Sequence, residues 1–316
     1  MPMKKILFSV LIVVFSVTLN AQEKVALKMN LEKNRVYRLR SASTQTVTQT
    51  VNGVPQTTES EVTYSMSLKM LDSKPEFMVA EVRFDTIVTV TNTMGKVTTI
   101  SSLTGGDITS SESDAVLSCI MNRLSKNALY VRFDYSGKPV EIVNARILPE
   151  LVLKDTSGIT LKGPVAQAVK NQIAEAVSEA NLRTMIEQYT HFLPGREVAP
   201  GEQWIISQQT VSGGMMLDIS TTYRFDRLNG GMAEITAESS IRASDNAVPI
   251  QSSGATVTYN DLKGMSRAAM TVNAATGMRV EETGKTHIAG NLGISAPGFS
   301  MQMPMDINGE TKITGL

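Results

Sequence analysis

The feature that most constrains this chain is strict alternation of apolar and polar residues over long stretches. Val62, Tyr64, Met66, Leu68 and Met70 fall on one face, with Thr63, Ser65, Ser67 and Lys69 on the other. A period of two puts successive side chains on opposite faces of a pleated strand, so this is a half-buried strand and not a helix. The pattern returns at Met78, Ala80, Val82 and Phe84, at Met215 through Phe225, and at Phe299, Met301, Met303, Met305 and Ile307. Each predicts a strand of ten residues or so. Between the strands lie dipeptides that tolerate positive φ: Asn52-Gly53, Met94-Gly95, Ser136-Gly137, Gly213-Gly214, Asn229-Gly230 and Thr276-Gly277. Neighbouring strands are therefore expected to pair antiparallel as hairpins. Asn308-Gly309 reads as a further turn rather than part of a calcium loop, because the ligand spacing and the distant glutamate are missing.

One region follows a different period. Val165, Val169, Ile173 and Val177 stand four apart, and Leu182, Met185, Ile186 and Tyr189 form a second stripe, which predicts two helices between Pro164 and Phe192 with a break near Asn181. A shorter helix is expected from Asp114 to Leu124, with Ser111 and Asp114 as a capping box. Cys119 lies within it as a small buried residue.

The start of the chain reads as a targeting segment. Lys4 and Lys5 precede the apolar run Ile6 to Val17, then Leu19-Asn20-Ala21. That is a secretory pattern with cleavage expected after Ala21, and its apolar run is too short for a membrane span. No cysteine follows the cut, so no lipid anchor is expected, and no later segment is apolar enough to cross a bilayer. Export to the periplasm or the cell exterior is the expectation.

Ala128 to Glu141 aligns without gaps with Ala268 to Glu281, with Gly137 matching Gly277 and Val140-Glu141 matching Val280-Glu281. Tyr37 and Trp204 each open a long strand after a polar turn. The predicted organisation is a leader (1–21), an N-terminal β half (22–150), a helical connector (151–192) and a C-terminal β half (193–316). The fold class is mainly β, an α+β protein of two similar antiparallel, curved sheets with helices packed against them.

The hairpin Tyr130 to Val140 around Ser136-Gly137, the Ala21-Gln22 junction, and the segment Phe192-Leu-Pro-Gly-Arg-Glu-Val-Ala-Pro-Gly-Glu-Gln-Trp204 ahead of a second β half give the chain a resemblance. It resembles an uncharacterised family of exported Gram-negative β-sheet proteins. The resemblance implies a fold and transfers no site. More distantly, long curved strands with a helical cover are similar to the half-barrel lipoprotein and lipid carriers of the envelope.

Composition removes several function classes. With 30 basic and 30 acidic residues there is no electrostatic footprint for nucleic acid, and loss of Lys4 and Lys5 leaves the mature chain slightly acidic. One cysteine makes no internal disulfide and no four-cysteine zinc site. His191 and His287 stand in no hydrolase motif, and none of the Gly-Lys pairs sits in a phosphate-cradling loop. Glu281 and Glu282 point to opposite faces of a strand. The expectation is a protein that is not an enzyme and needs no cofactor.

Methionine is the unusual residue, with 18 in the chain. Met301, Met303 and Met305 share one strand face, and three uses of that face are open. It is core, since Phe299 and Ile307 extend the stripe; or it lines an apolar groove, because Met adapts to varied ligands; or its thioethers hold Cu(I) or Ag(I). Met215 and Trp204 complete the candidate lining, Trp204 being chiefly a core anchor after the Pro200-Gly201 turn. The favoured expectation is carriage of a lipid or other apolar ligand on a concave face. The alternative is an envelope protein that meets a protein partner.

Overall fold

The computed structural model describes residues 24–316 apart from 52, 213, 253, 254 and 260. The leader expected at 1–21, Asn52 and Gly213 lie outside the described residues. In chain order the strands of the first part are β1 (Val25–Leu27), β2 (Val36–Val51), β3 (Val54–Ser73), β4 (Met78–Thr93), β5 (Lys96–Ser101), β6 (Leu129–Phe133) and β7 (Pro139–Ile142), with helix α1 (Ser113–Lys126) after β5. Then come α2 (Leu148–Val152), α3 (Gly163–Ala176) and α4 (Glu179–Thr190). The second part holds β8 (Arg196–Val198), β9 (Gln203–Ser212), β10 (Met215–Asn229), β11 (Met232–Ala243), β12 (Ile250–Ser252), β13 (Ala255–Thr258), β14 (Lys263–Asn273), β15 (Arg279–Ala296) and β16 (Phe299–Gly315).

Fourteen of these strands make one antiparallel sheet, and β1 pairs with β8 apart from it. The path runs β7-β6-β4-β3-β2-β16-β15-β14-β11-β10-β9 and is open, ending at β7 and β9. The fold is mainly β. Each segment runs as a meander, and the two are not separate bodies. The last strand, β16, pairs on one side with β15 and on the other with β2, from Met305 opposite Gln49 to Gly315 opposite Leu39. The hairpins aligned in the sequence, β6–β7 and β14–β15, occupy the same rank in their meanders, and Tyr37 and Trp204 sit near the start of the first strand of each.

Several strands exceed the expected length, β3 reaching 20 residues and β15 18. Pairing on both sides explains one misread signal. Asn308-Gly309, expected to turn, lies inside β16 with Asn308 between His287 and Thr46, because two neighbouring ladders hold the backbone extended. Helix boundaries shift as well. The break falls at Val177-Ser178, where the Ser178 hydroxyl caps α4 by accepting from the Asn181 N–H, so Asn181 lies in its first turn. Glu112 and not Ser111 occupies the N-cap of α1, and it makes no side-chain cap. Helix α2 is too short to show a period and was not visible in the sequence pattern.

A strap near the start of the chain ties the two meanders together. Met29 N–H donates to the Tyr135 carbonyl, and Asn30 N–H to the Thr276 carbonyl, so residues 29–30 cross both hairpin turns. Leu27, Met29 and Leu31 point into the core. The turn glycines are required there. A Cβ at Gly137, φ +85°, would lie 2.0 Å from the Thr190 carbonyl oxygen, and one at Gly277, φ +73°, would lie 2.4 Å from that of Lys28. The Phe192–Trp204 segment is likewise self-bonded. Glu202 accepts from Ala199 N–H at 3.1 Å and pairs with Arg196, which together hold its carboxyl below the usual range. Gly201 N–H donates to the Phe225 carbonyl at 2.6 Å, and the Trp204 indole to that of Phe192 at 3.0 Å.

Candidate functional site

The inner face of the curved sheet is apolar at both ends and polar across its middle. Along β16, Met303, Met305 and Ile307 belong to one buried cluster and Ile313 to another, with Gly309 and Thr311 between. Along β10 the change runs from Leu217 through Thr221 to Tyr223 and Phe225; along β11 it runs from Ile241 through Ser239 to Ala237. Ser43 on β2, Ser266 on β14 and Thr286 on β15 continue the row. Thr221 and Ser239 hydroxyls are 2.9 Å apart, and Thr286 donates to Ser266 at the same distance. A belt of small hydroxyls therefore crosses the sheet between two apolar clusters.

Helix α4 lies over the belt and presents Asn181, Thr184, Met185, Gln188 and Tyr189 to it, enclosing a cavity of about 550 Å³. Helix α3 does not reach this space; it packs on α1 and α4. Three tyrosines line the cavity. The Tyr64 and Tyr189 rings lie 6.3 Å apart, and Tyr223 stacks on Trp204 at 5.7 Å. Burial pushes the Tyr189 phenol up to about 12, against the opposing pull of the Ser41 hydroxyl, and burial also raises those of Tyr64 and Tyr223. All three stay neutral at physiological pH.

At the cavity wall sits an ion pair taken out of water. Arg279, 4% exposed, places Nη1 3.0 Å from Oε2 of Glu282, 13% exposed. This Nη1–Oε2 contact does not lie along a hydrogen-bonding direction, so Glu282 Oε2 has no hydrogen-bond partner among the described residues, and neither has the Arg279 Nε. The guanidinium also stacks 4.2 Å over Phe192 and donates from Nη2 to the Gln188 carbonyl at 3.4 Å. That carbonyl is in the last turn of α4, where a cation offsets the helix dipole. As the alternation predicts, Glu281 points away and pairs with Lys312.

The sequence candidates fall elsewhere. Met303 and Met305 are buried with Leu292, Ile288 and Tyr259, with Met301 and Met215 packed against them, and the Met305 sulfur accepts from the Gln49 amide at 3.8 Å. Trp204 belongs to the opposite apolar cluster. None of the five lines the cavity; the four methionines gather in one cluster and Trp204 lies in the other. The Met stripe shares its face with the cavity and is filled by side chains of the 244–262 segment, Tyr259 foremost, whose hydroxyl accepts from Met216 N–H. Sequence reasoning missed the hydroxyl belt, although Thr221 interrupting an apolar stripe was its visible sign.

Both histidines are paired with carboxylates, His191 Nδ1 with Glu187 at 2.8 Å and His287 Nε2 with Asp306 at 2.7 Å. Neither touches a hydroxyl or thiol that could serve as a nucleophile, among the described residues. Nor do the described residues group three His, Cys, Asp or Glu side chains as a metal cluster.

The model of a family of unknown function, DUF6263, matches residues 76–279, well over half of the chain. The chain belongs to the DUF6263 family. The DUF6263 match begins just before β4 and ends at Arg279. None of the curated proteins matches. Among solved structures, the chain is similar to two Pseudomonas aeruginosa proteins, OccK11 (OpdR) and OccK7 (OpdD), each at 8% identity and TM-score 0.22. The alignments cover 90% of this chain and 98% of OccK11, and 89% and 99% for OccK7. A DUF1329 family protein from Desulfovibrio piger aligns at 9% identity over 88% of this chain and 83% of its own, with TM-score 0.13. Likeness this slight carries no structural argument. Among the described residues no helix is long and apolar enough to cross a membrane.

Proposed function

We propose that this DUF6263 protein is an exported, non-enzymatic binding protein that holds its ligand on the concave face beneath α4. The observation that supports it is the cavity of about 550 Å³, whose hydroxyl belt runs between two apolar clusters. Ligand sites combine apolar walls with a few fixed polar groups that set orientation. Arg279 and Glu282 cancel each other, so the cavity offers no net counter-charge to an ionic head group. The chemistry therefore favours a molecule with neutral hydrogen-bonding groups between apolar parts, such as a hydroxylated or amide-bearing lipid, over a bare acyl chain.

The test is native mass spectrometry of the mature protein recovered from its own host, followed by organic extraction and elemental analysis. The expected result is a defined organic mass that disappears in Ser239→Leu with Ser266→Leu, while the far-ultraviolet circular dichroism is retained. A bare polypeptide in repeated preparations would sink the reading. A bound metal in place of an organic molecule would move the site to the thioethers of Met301, Met303 and Met305.

A further inference from the structure

The two ends of the main sheet are finished differently. β7 is four residues long, begins at Pro139 and has α4 packed against it. β9 is ten residues long, with β10 beside it and no other strand. Among the described residues, the backbone of 203–211 makes no hydrogen bond beyond the ladder to β10. Half of its N–H and C=O groups therefore point outward from the edge of the sheet. Exposed edges are ordinarily blunted by charge, proline or a bulge. β9 has none of these. Its sequence Gln203-Trp-Ile-Ile-Ser-Gln-Gln-Thr-Val-Ser212 is uncharged, whereas every other strand of ten residues or more carries charge.

We propose that β9 is the seam of a homodimer, pairing antiparallel with β9 of a second copy about a two-fold axis at Gln208. A two-fold axis sets a strand against itself, so any charge near the axis would face its like; an uncharged strand avoids this. The register follows from side-chain direction. Residues opposite each other in an antiparallel pair share a face, so the axis must pass through a residue and not between two. Ile205 is 66% exposed on the outer face, and Val211, which shares its parity and also borders the cavity under α4, is 45% exposed. Centring on Gln208 is the register that sets Ile205 opposite Val211 of the other copy and Ser207 opposite Gln209, apolar against apolar and polar against polar. The same register sets Ile206 against Thr210 on the inner face, beside the cavity wall that Thr210 forms. This inference does not depend on the ligand reading.

Sedimentation velocity of the mature protein over a dilution series tests it, with circular dichroism to confirm folding. The wild type is expected to sediment at twice the monomer mass at high concentration. Ile205→Lys with Val211→Lys, both at exposed positions, sets like charges opposite each other and is expected to leave a folded monomer. Ile205→Lys with Val211→Glu sets opposite charges across the seam at both ends and is expected to restore the dimer in a salt-sensitive form. A wild type that stays monomeric at every concentration overturns the proposal, as does a dimer that the two lysines leave intact. Equal loss of the dimer in both double variants overturns the register.

Discussion

Tyr189 shows at the scale of one residue what the cavity costs and what it contributes. Its phenol is held up to about 12 in the folded protein, against about 10 in an unfolded chain. The folded state then binds that proton more tightly. The associated stability is fully present below about pH 10 and is lost as pH rises from about 10 to about 12. It amounts to a few kcal/mol, on the order of 2 to 3. Urea denaturation at stepped alkaline pH should show this decline, and Tyr189→Phe should lessen it, leaving the part that the buried Tyr64 and Tyr223 contribute. The tyrosine itself was legible as part of a helical stripe. Its surroundings were not, because Ser41 and Tyr64 reach it from β2 and β3, far away in sequence on the sheet face beneath α4, and no local period reports such neighbours.

Among elements, the joint between α4 and β15 is the most consequential. Arg279 connects them by stacking on Phe192 and bonding the Gln188 carbonyl while it faces Glu282. Removing one member strands a buried charge, and Arg279→Met alone is expected to cost about 3 to 5 kcal/mol in chemical denaturation. Arg279→Met with Glu282→Leu should recover most of that loss, since apolar pairs of similar volume replace buried ion pairs at little cost. If the double variant folds but no longer retains a ligand, the pair serves binding more than stability. The elements themselves were largely readable: period two gave the strands, period four gave α3 and α4, and glycine turns gave the hairpins. Asn308-Gly309 was misread because ladders on both sides of β16 override a two-residue preference. The Met stripe was read correctly as one strand face, yet what fills it arrives from Tyr259 and Leu262, distant in sequence.

For the whole molecule, the seam between β2 and β16 decides how the protein comes apart. With both meanders in one ladder, neither has an independent edge there to retain when the other melts. The chain has one tryptophan, Trp204, placed in the second meander, so its fluorescence reports that part alone. We expect its denaturation curve to coincide with that of circular dichroism, which reports the entire sheet; two separated transitions would show that the meanders melt independently. The strap at residues 29–30 carries a further consequence, one of timing. The side chain of Asn30 bonds the Ala275 carbonyl, 245 positions away, and its N–H bonds that of Thr276. A chain delivered from its N-terminus cannot close this clasp until nearly all of it has arrived. The contacts that join the two hairpin turns are thereby late in order of synthesis, behind every strand up to β14.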